Sequence, residues 1–109
     1  MSTLPTRWTK GAGETRNIAV DFRGKLRGSE KLTGTPTIVE VTTSALTLTN
    51  KAVNVAALTI LGETVGIGQA LQVRVSGGTA GTDYSIKLTC ATDSSPAQTV
   101  EDTITLGVD

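Results

Sequence analysis

Histidine is absent from the 109 residues, and there are only one cysteine, three prolines and three aromatic residues. The missing histidine excludes imidazole acid–base catalysis, Ser-His-Asp and Cys-His nucleophiles, and histidine-ligated zinc. A lone Cys90 excludes an intrachain disulfide and a thiolate metal cluster, and points to assembly in a reducing cytoplasm. Long hydrophobic runs are missing as well. The longest uncharged apolar stretch, Ala52 to Gly62, is about half of the roughly 20 residues that a membrane-spanning helix needs. Met1 to Lys10 has no apolar region of the secretory kind.

What is present is threonine, 20 copies of it, followed by 12 glycines. Threonine, valine and isoleucine are stiff at χ1 and favour the pleated sheet. Helix formers never cluster at 3.6-residue spacing for more than a turn, except around Ala52–Leu61, where Val53, Val55, Thr59 and Ile60 argue for strand or extended chain. With 38 % hydrophobic residues and a mean hydropathy of +0.03, the chain is apolar enough for one packed core. The fold class is therefore all-β.

The alternation of residues places the strands. Ile18, Val20 and Phe22 alternate with Ala19, Asp21 and Arg23, and Leu26 and Leu32 supply the next core contacts. Pro36 opens a strand on which Val39 and Val41 share one face, and Leu46 and Leu48 mark a third, ended by Asn50-Lys51. Leu71, Val73 and Val75 alternate with Gln72, Arg74 and Ser76. A glycine-rich turn, Gly77 to Thr82, leads to a strand with Tyr84, Ile86, Leu88 and Cys90 on one side. After the turn Asp93-Ser94-Ser95-Pro96, the last strand has Val100, Asp102, Ile104 and Leu106 at one parity. About seven short strands with turn signals every 8–12 residues predict a single immunoglobulin-like β-sandwich over residues 16–109. Residues 1–15 are polar, lack either period and read as an extended N-terminal arm.

No catalytic, cofactor-binding or metal-binding residues emerge. Gly66-Ile67-Gly68 lacks the third glycine and the βαβ setting of a dinucleotide fingerprint, and adjacent Glu101 and Asp102 leave a strand on opposite sides. Nucleic-acid binding lacks its basic patch with interleaved aromatics, because Trp8, Phe22 and Tyr84 are far apart. The zero net charge conceals a division. Residues 1–31 hold seven basic against three acidic side chains, net +4, and residues 32–109 hold three against seven, net −4. Such a segment either faces water or steers copies of the chain together head to tail. Cys90 reads as a buried, inert thiol, and Tyr84 as a corner tyrosine whose hydroxyl bonds the backbone, with Gly77, Gly78 and Gly81 forming the corner. Trp8 either folds back on its own domain or anchors a partner.

Two groups of residues resemble a family of small phage structural proteins of the fibre–tail adaptor type. The first reads Trp8-Thr9-Lys10, Glu14, Val20-Asp21-Phe22, Leu26 and Gly28-Ser29-Glu30-Lys31-Leu32. The second reads Gly77-Gly78-Thr79-Ala80-Gly81-Thr82-Asp83-Tyr84. The order is kept over about 100 residues. Gly11-Ala12-Gly13 departs from the acidic–proline step of the family, and residues 36–68 match only as generic strands. The resemblance implies a non-enzymatic virion protein, assembled in the host cytoplasm, that joins the tail to fibres or to an adjacent ring. Its partners would be neck or tail proteins, tail fibres and further copies of itself in a ring-like homo-oligomer, with neither nucleic acid nor membrane involved. Arg7, Trp8, Lys10 and Arg16 are the candidate partner contacts. A capsid decoration protein and a host-surface carbohydrate-binding module are the alternatives.

Overall fold

Strands form where β-branched and apolar residues alternate with polar ones, because successive side chains leave a strand on opposite faces. The computed structural model describes residues 7–41, 45–60 and 62–109, with the backbone alone for Arg7. Its strands are β1 (Arg7–Lys10), β2 (Arg16–Asp21), β3 (Leu32–Glu40), β4 (Leu46–Val53), β5 (Leu58–Ile60), β6 (Glu63–Val65), β7 (Ala70–Gly77), β8 (Thr82–Thr92) and β9 (Thr99–Val108). A single turn of 3-10 helix at Arg23–Lys25 follows β2. The protein is all-β.

One sheet has the order β1-β9-β8-β3 and another the order β2-β7-β4, while β5 and β6 form a separate hairpin. The pairings are antiparallel except that of β1 on β9. Both larger sheets feed one core. Ile18 and Val20 from β2, and Leu71, Val73 and Val75 from β7, join Tyr84, Ile86, Leu88 and Cys90 from β8 and Ile104, Leu106 and Val108 from β9. Each such aliphatic side chain stabilises the fold by about 1.5–3 kcal/mol relative to an exposed one.

Three local expectations change. The strand expected to open at Pro36 is β3, and it begins at Leu32. Its register slips between Thr33 and Thr37, so Gly34, Thr35 and Pro36 lie opposite Cys90 alone. Proline has no amide hydrogen to give a ladder, and an irregularity of this kind accommodates it inside a strand. The face shared by Val39 and Val41 is the solvent face (42 % and 55 % exposed), because Ile38 takes the inward position. Finally, Asn50-Lys51 does not end β4. The two residues form a bulge between the pairs Thr49–Arg74 and Ala52–Gln72, after which the strand resumes. In the stretch read as strand or extended, Ala52 and Val53 complete β4 and Leu58–Ile60 form β5, which pairs with β6.

The connection from β4 to β7 is held by one amide. Asn54 is buried, its nitrogen donating to the carbonyls of Ala56 and Gly66 (2.9 Å each). Its side-chain oxygen accepts the backbone N–H groups of Gln69 (3.1 Å) and Ala70 (3.0 Å). The β5–β6 hairpin then folds over the outer side of the β2-β7-β4 sheet, where Ile60 and Val65 enclose Ala70 beside Ala19 and Leu58. Arg23 fastens it there. Its guanidinium spans both carboxylate oxygens of Asp21, the Thr64 carbonyl (3.1 Å) and Glu63 (3.4 Å), and these hydrogen bonds, led by that to Asp21, raise its pKa.

Replacing Asn54 by alanine removes four hydrogen bonds to backbone and leaves the buried Ala70 N–H without its acceptor, while Gln69 N–H and the Gly66 carbonyl keep the bond between them. Asn54→Ala is expected to lower unfolding stability by about 3 kcal/mol in urea denaturation, since a stranded buried polar group costs about 1–3 kcal/mol. Val55→Ala, next to it but 88 % exposed, should stay within about 0.5 kcal/mol of the parent.

Candidate functional site

The candidate contact residues Trp8, Lys10 and Arg16 are not arrayed on one surface. β1 runs beside β9 with Arg7 opposite Thr105, Trp8 opposite Leu106, Thr9 opposite Gly107 and Lys10 opposite Val108. Leu106 and Val108 point into the core, so Trp8 and Lys10 share their inward parity. Trp8 is half-buried and packs on the core cluster, yet its indole Nε1 is buried without a hydrogen-bond partner among the described residues. Lys10 is only 2 % exposed, and its ammonium donates to the carbonyls of Gly11 (2.9 Å) and Glu14 (3.1 Å). Residues 1–6 and the side chain of Arg7 lie outside the described part of the structure.

The segment between β1 and β2 is a tight turn. Glu14 N–H donates to the Gly11 carbonyl at 3.0 Å, and the Glu14 carboxylate accepts the Gly11 N–H in return. A second carboxylate oxygen takes the exposed Arg16 guanidinium at 2.9 Å. The Gly11 hydrogen bond, and after it the charge of Arg16, hold Glu14 below the usual carboxylate range. β1 is tied again at its far end, where Asp109 N–H donates to Lys10 and Ala12 N–H to Asp109. The stretch read as an extended arm contains, among its described residues, a short edge strand tied at its exit.

The glycine-rich corner lies between β7 and β8. The Tyr84 hydroxyl accepts the N–H of Thr79, five residues back, at 2.8 Å, and this hydrogen bond lowers its pKa. Gly77 and Gly78 have φ of 84° and 95°, and space is refused to a side chain at both. A Cβ at Gly77 would sit 2.8 Å from the Ala45 carbonyl oxygen, and one at Gly78 2.9 Å from the Val108 side chain. Gly81, with φ of 80°, has open space around it and donates to the Val108 carbonyl at 2.7 Å. Cys90 is buried at the β3 irregularity, with its thiol donating to the Thr33 carbonyl at 3.4 Å; burial raises its pKa, and so it stays protonated.

Loops gather at the other end of the sheets. Phe22 N–H donates to Gln69, Leu32 N–H to Gly68 and Asp93 N–H to Lys31, while the Asp93 carboxylate accepts the Lys31 N–H. Glu30 accepts the Arg27 N–H at 3.0 Å and the Thr92 hydroxyl at 3.2 Å. The Arg27 bond, and next a hydrogen bond from Ser94, lower its pKa. Among the described residues no group of three His, Cys, Asp or Glu side chains stands where it could hold a metal ion, and no helix is long and apolar enough to cross a membrane. Sequence reading passed over a different grouping, formed on the outer side of β2, β7 and β4 by Asn17, Asn50, Gln72 and Arg74 around a shallow concavity. Polar positions on three separate strands were legible one by one. Their meeting depends on register, which no single strand reveals.

The family model described as "Podophage GP4 fiber-tail adaptor protein gp77" matches residues 10–107. Comparison with curated proteins found no match, and neither did comparison with solved structures.

Glu14 and Glu30 both have lowered pKa values in the folded protein, so the stability they contribute is present above the unfolded glutamate pKa. It is lost as pH falls through the lowered folded value. Carbon-13 NMR titration should give both carboxylates midpoints below that of glutamate in the urea-unfolded chain. In Gly11→Ala, whose Cβ would stand 3.0 Å from the Glu14 carboxylate, the Glu14 midpoint should move back up while that of Glu30 stays in place.

Proposed function

The chain belongs to the podophage GP4 fibre-tail adaptor family, and from that premise we propose that it is a rigid immunoglobulin-like module joining the phage tail to its fibres. The family is one of structural virion proteins, and an adaptor between tail and fibre has proteins of those two structures as its partners. We further read the chain as non-enzymatic, present in multiple copies in a ring, and attached through its N-terminal segment.

Connectivity supports the immunoglobulin-like reading. With β2, β3, β4, β7, β8 and β9 taken as strands B to G, the sheets become B-E-D and G-F-C, as in that fold. The Tyr84 hydroxyl at the start of β8 bonds the backbone upstream, as a corner tyrosine does. The chain differs in having the β5–β6 hairpin between β4 and β7 and no cystine between the sheets.

The observation that carries the attachment reading is the unpartnered indole N–H of Trp8 on an edge strand. A buried donor without an acceptor costs about 1–3 kcal/mol, which is recovered if a neighbouring protein supplies a carbonyl. The other margin of β1 pairs with no described strand, so its backbone is open to an added strand, a common way to join proteins with little demand on sequence. Arg7 and Arg16 are kept as further proposed contacts, Arg16 from the other sheet. Lys10 acts from inside, holding the turn that fixes β1. The excess of basic residues in 1–31 over an acidic remainder supports assembly of copies head to tail.

Trp8→Phe separates packing from donation. The isolated variant is expected to be as stable as the parent or slightly more so, and light scattering with the tail protein should show a defined multi-copy complex weakened about tenfold, roughly 1.4 kcal/mol. Deletion of residues 1–6 should likewise weaken assembly with little effect on thermal unfolding. Unchanged assembly by both variants overturns the attachment reading. A chain that ignores tail and fibre proteins, but binds intact capsids or glycans, overturns the adaptor role in favour of decoration or adhesion.

A further inference from the structure

We propose that the concavity on the outer side of the β2-β7-β4 sheet is a binding site for a carboxylate side chain of a partner protein. It is lined by Asn17, Asn50, Ala52, Gln72, Val73 and Arg74, with a volume of about 260 Å³. That is below the roughly 300–1,000 Å³ of pockets for drug-sized ligands and suits one protruding side chain.

The hollow has a structural cause. Asn50 and Lys51 both lie opposite Val73, two residues against one, so β4 bows away from β7 at this point. Asn50 holds φ at 53°, the left-handed region, and among the described residues it is the one non-glycine residue to do so. Asparagine tolerates that conformation better than most residues, yet it is still a departure from the relaxed strand, of the kind found where chain geometry serves a site. The register then brings the donors together. Arg74, on the central strand, stands between Asn17 of β2 and Thr49 of β4, and Gln72 stands between Ala19 and Ala52. The small side chain of Ala52 leaves the floor open.

The donor set selects the ligand. A guanidinium offers a planar fork to a carboxylate, and three carboxamides supply further N–H donors around it. No carboxylate lines the concavity. Within the chain, among the described residues, the side chains of Asn17, Asn50, Gln72 and Arg74 form no hydrogen bond or ion pair, in contrast to Arg16 and Arg23, which are both engaged. A sugar would be expected to meet an aromatic platform, and no aromatic residue lines the hollow. An aspartate or glutamate side chain presented by a neighbouring protein is therefore the occupant, consistent with the protein-joining role of the family. This site is on the opposite sheet from β1, and its chemistry does not depend on the attachment reading.

The test uses the full chain and two isosteric probes, N-acetyl-glutamate N-methylamide and its neutral glutamine counterpart. Nitrogen-15 NMR titration with the glutamate probe should shift the side-chain amide signals of Asn17, Asn50 and Gln72 saturably. The glutamine probe should leave them unmoved. Arg74→Gln should weaken the effect at least tenfold, with the thermal midpoint unchanged because Arg74 holds nothing within the fold. Absence of saturable shifts, equal shifts by both probes, or full retention in Arg74→Gln would each overturn the site. So would a neutral oligosaccharide that shifts the same signals at lower concentration. None of these readouts involves tail or fibre proteins, so failure here is distinguishable from failure of the adaptor reading.

Discussion

The fold depends on burying two rows of aliphatic side chains against each other, Leu71, Val73 and Val75 on β7 and Ile86 and Leu88 on β8. With one phenylalanine, one tyrosine and one tryptophan in the chain, no large ring can dominate the interior. The core must be assembled from many medium-sized contributions, each worth about 1.5–3 kcal/mol. That requires every strand to hold its register, since a slip of one residue turns its apolar row to solvent. The irregular places are consequently fixed by specific bonds: the thiol of Cys90 at the β3 slip, and the hydroxyl of Tyr84 at the corner.

Polar groups inside the protein serve the same end. Asn54 spends both donors and two acceptor positions on backbone, so the long connection from β4 to β7 gains definition beyond its small apolar cluster of Ile60, Val65 and Ala70. Arg23 secures the hairpin by a different route, with charge shared between Asp21 and Glu63 at the edge of solvent. Lys10 is the costlier case. A buried ammonium bonded to two carbonyls and close to the Glu14 carboxylate is tolerated because the turn is built around it, and that turn determines where β1 ends.

The sequence made the regular part of this structure readable. Strict alternation on β2, β7 and β8 identified their inward faces, and the glycine run before Tyr84 identified the corner. Where alternation failed, the cause was a non-local pairing. Pro36 and Asn50-Lys51 look like strand boundaries, yet each lies within a strand, at an irregularity that shows only once the strand is paired with its partner. β1 was hidden for another reason, because four residues are too few to establish a period, and its parallel partner is about 100 positions away. The same blindness scattered the candidate contacts: Trp8 and Lys10 turned out to share an inward parity, whereas Arg16 belongs to the other sheet. The donors around Arg74 come from three strands whose alignment is invisible before folding.

The two surfaces proposed for attachment suit different stages of joining one protein to another. The concavity is carried by paired strands, and its central donor, Arg74, lies on the middle strand of its sheet, so occupation requires little further ordering of backbone. A charged donor that needs no rearrangement contributes chiefly to encounter and orientation. Trp8, by contrast, belongs to an edge strand and has a buried donor without a partner among the described residues, where a strand from a neighbouring protein could be added. Strand addition of that kind makes many backbone hydrogen bonds with little demand on sequence, and such contacts gain strength once several copies engage together. A small domain with few aromatics cannot offer one broad apolar interface without exposing its core. The two proposed surfaces would divide attachment between a preformed polar hollow and an edge strand, and neither calls for a broad apolar face.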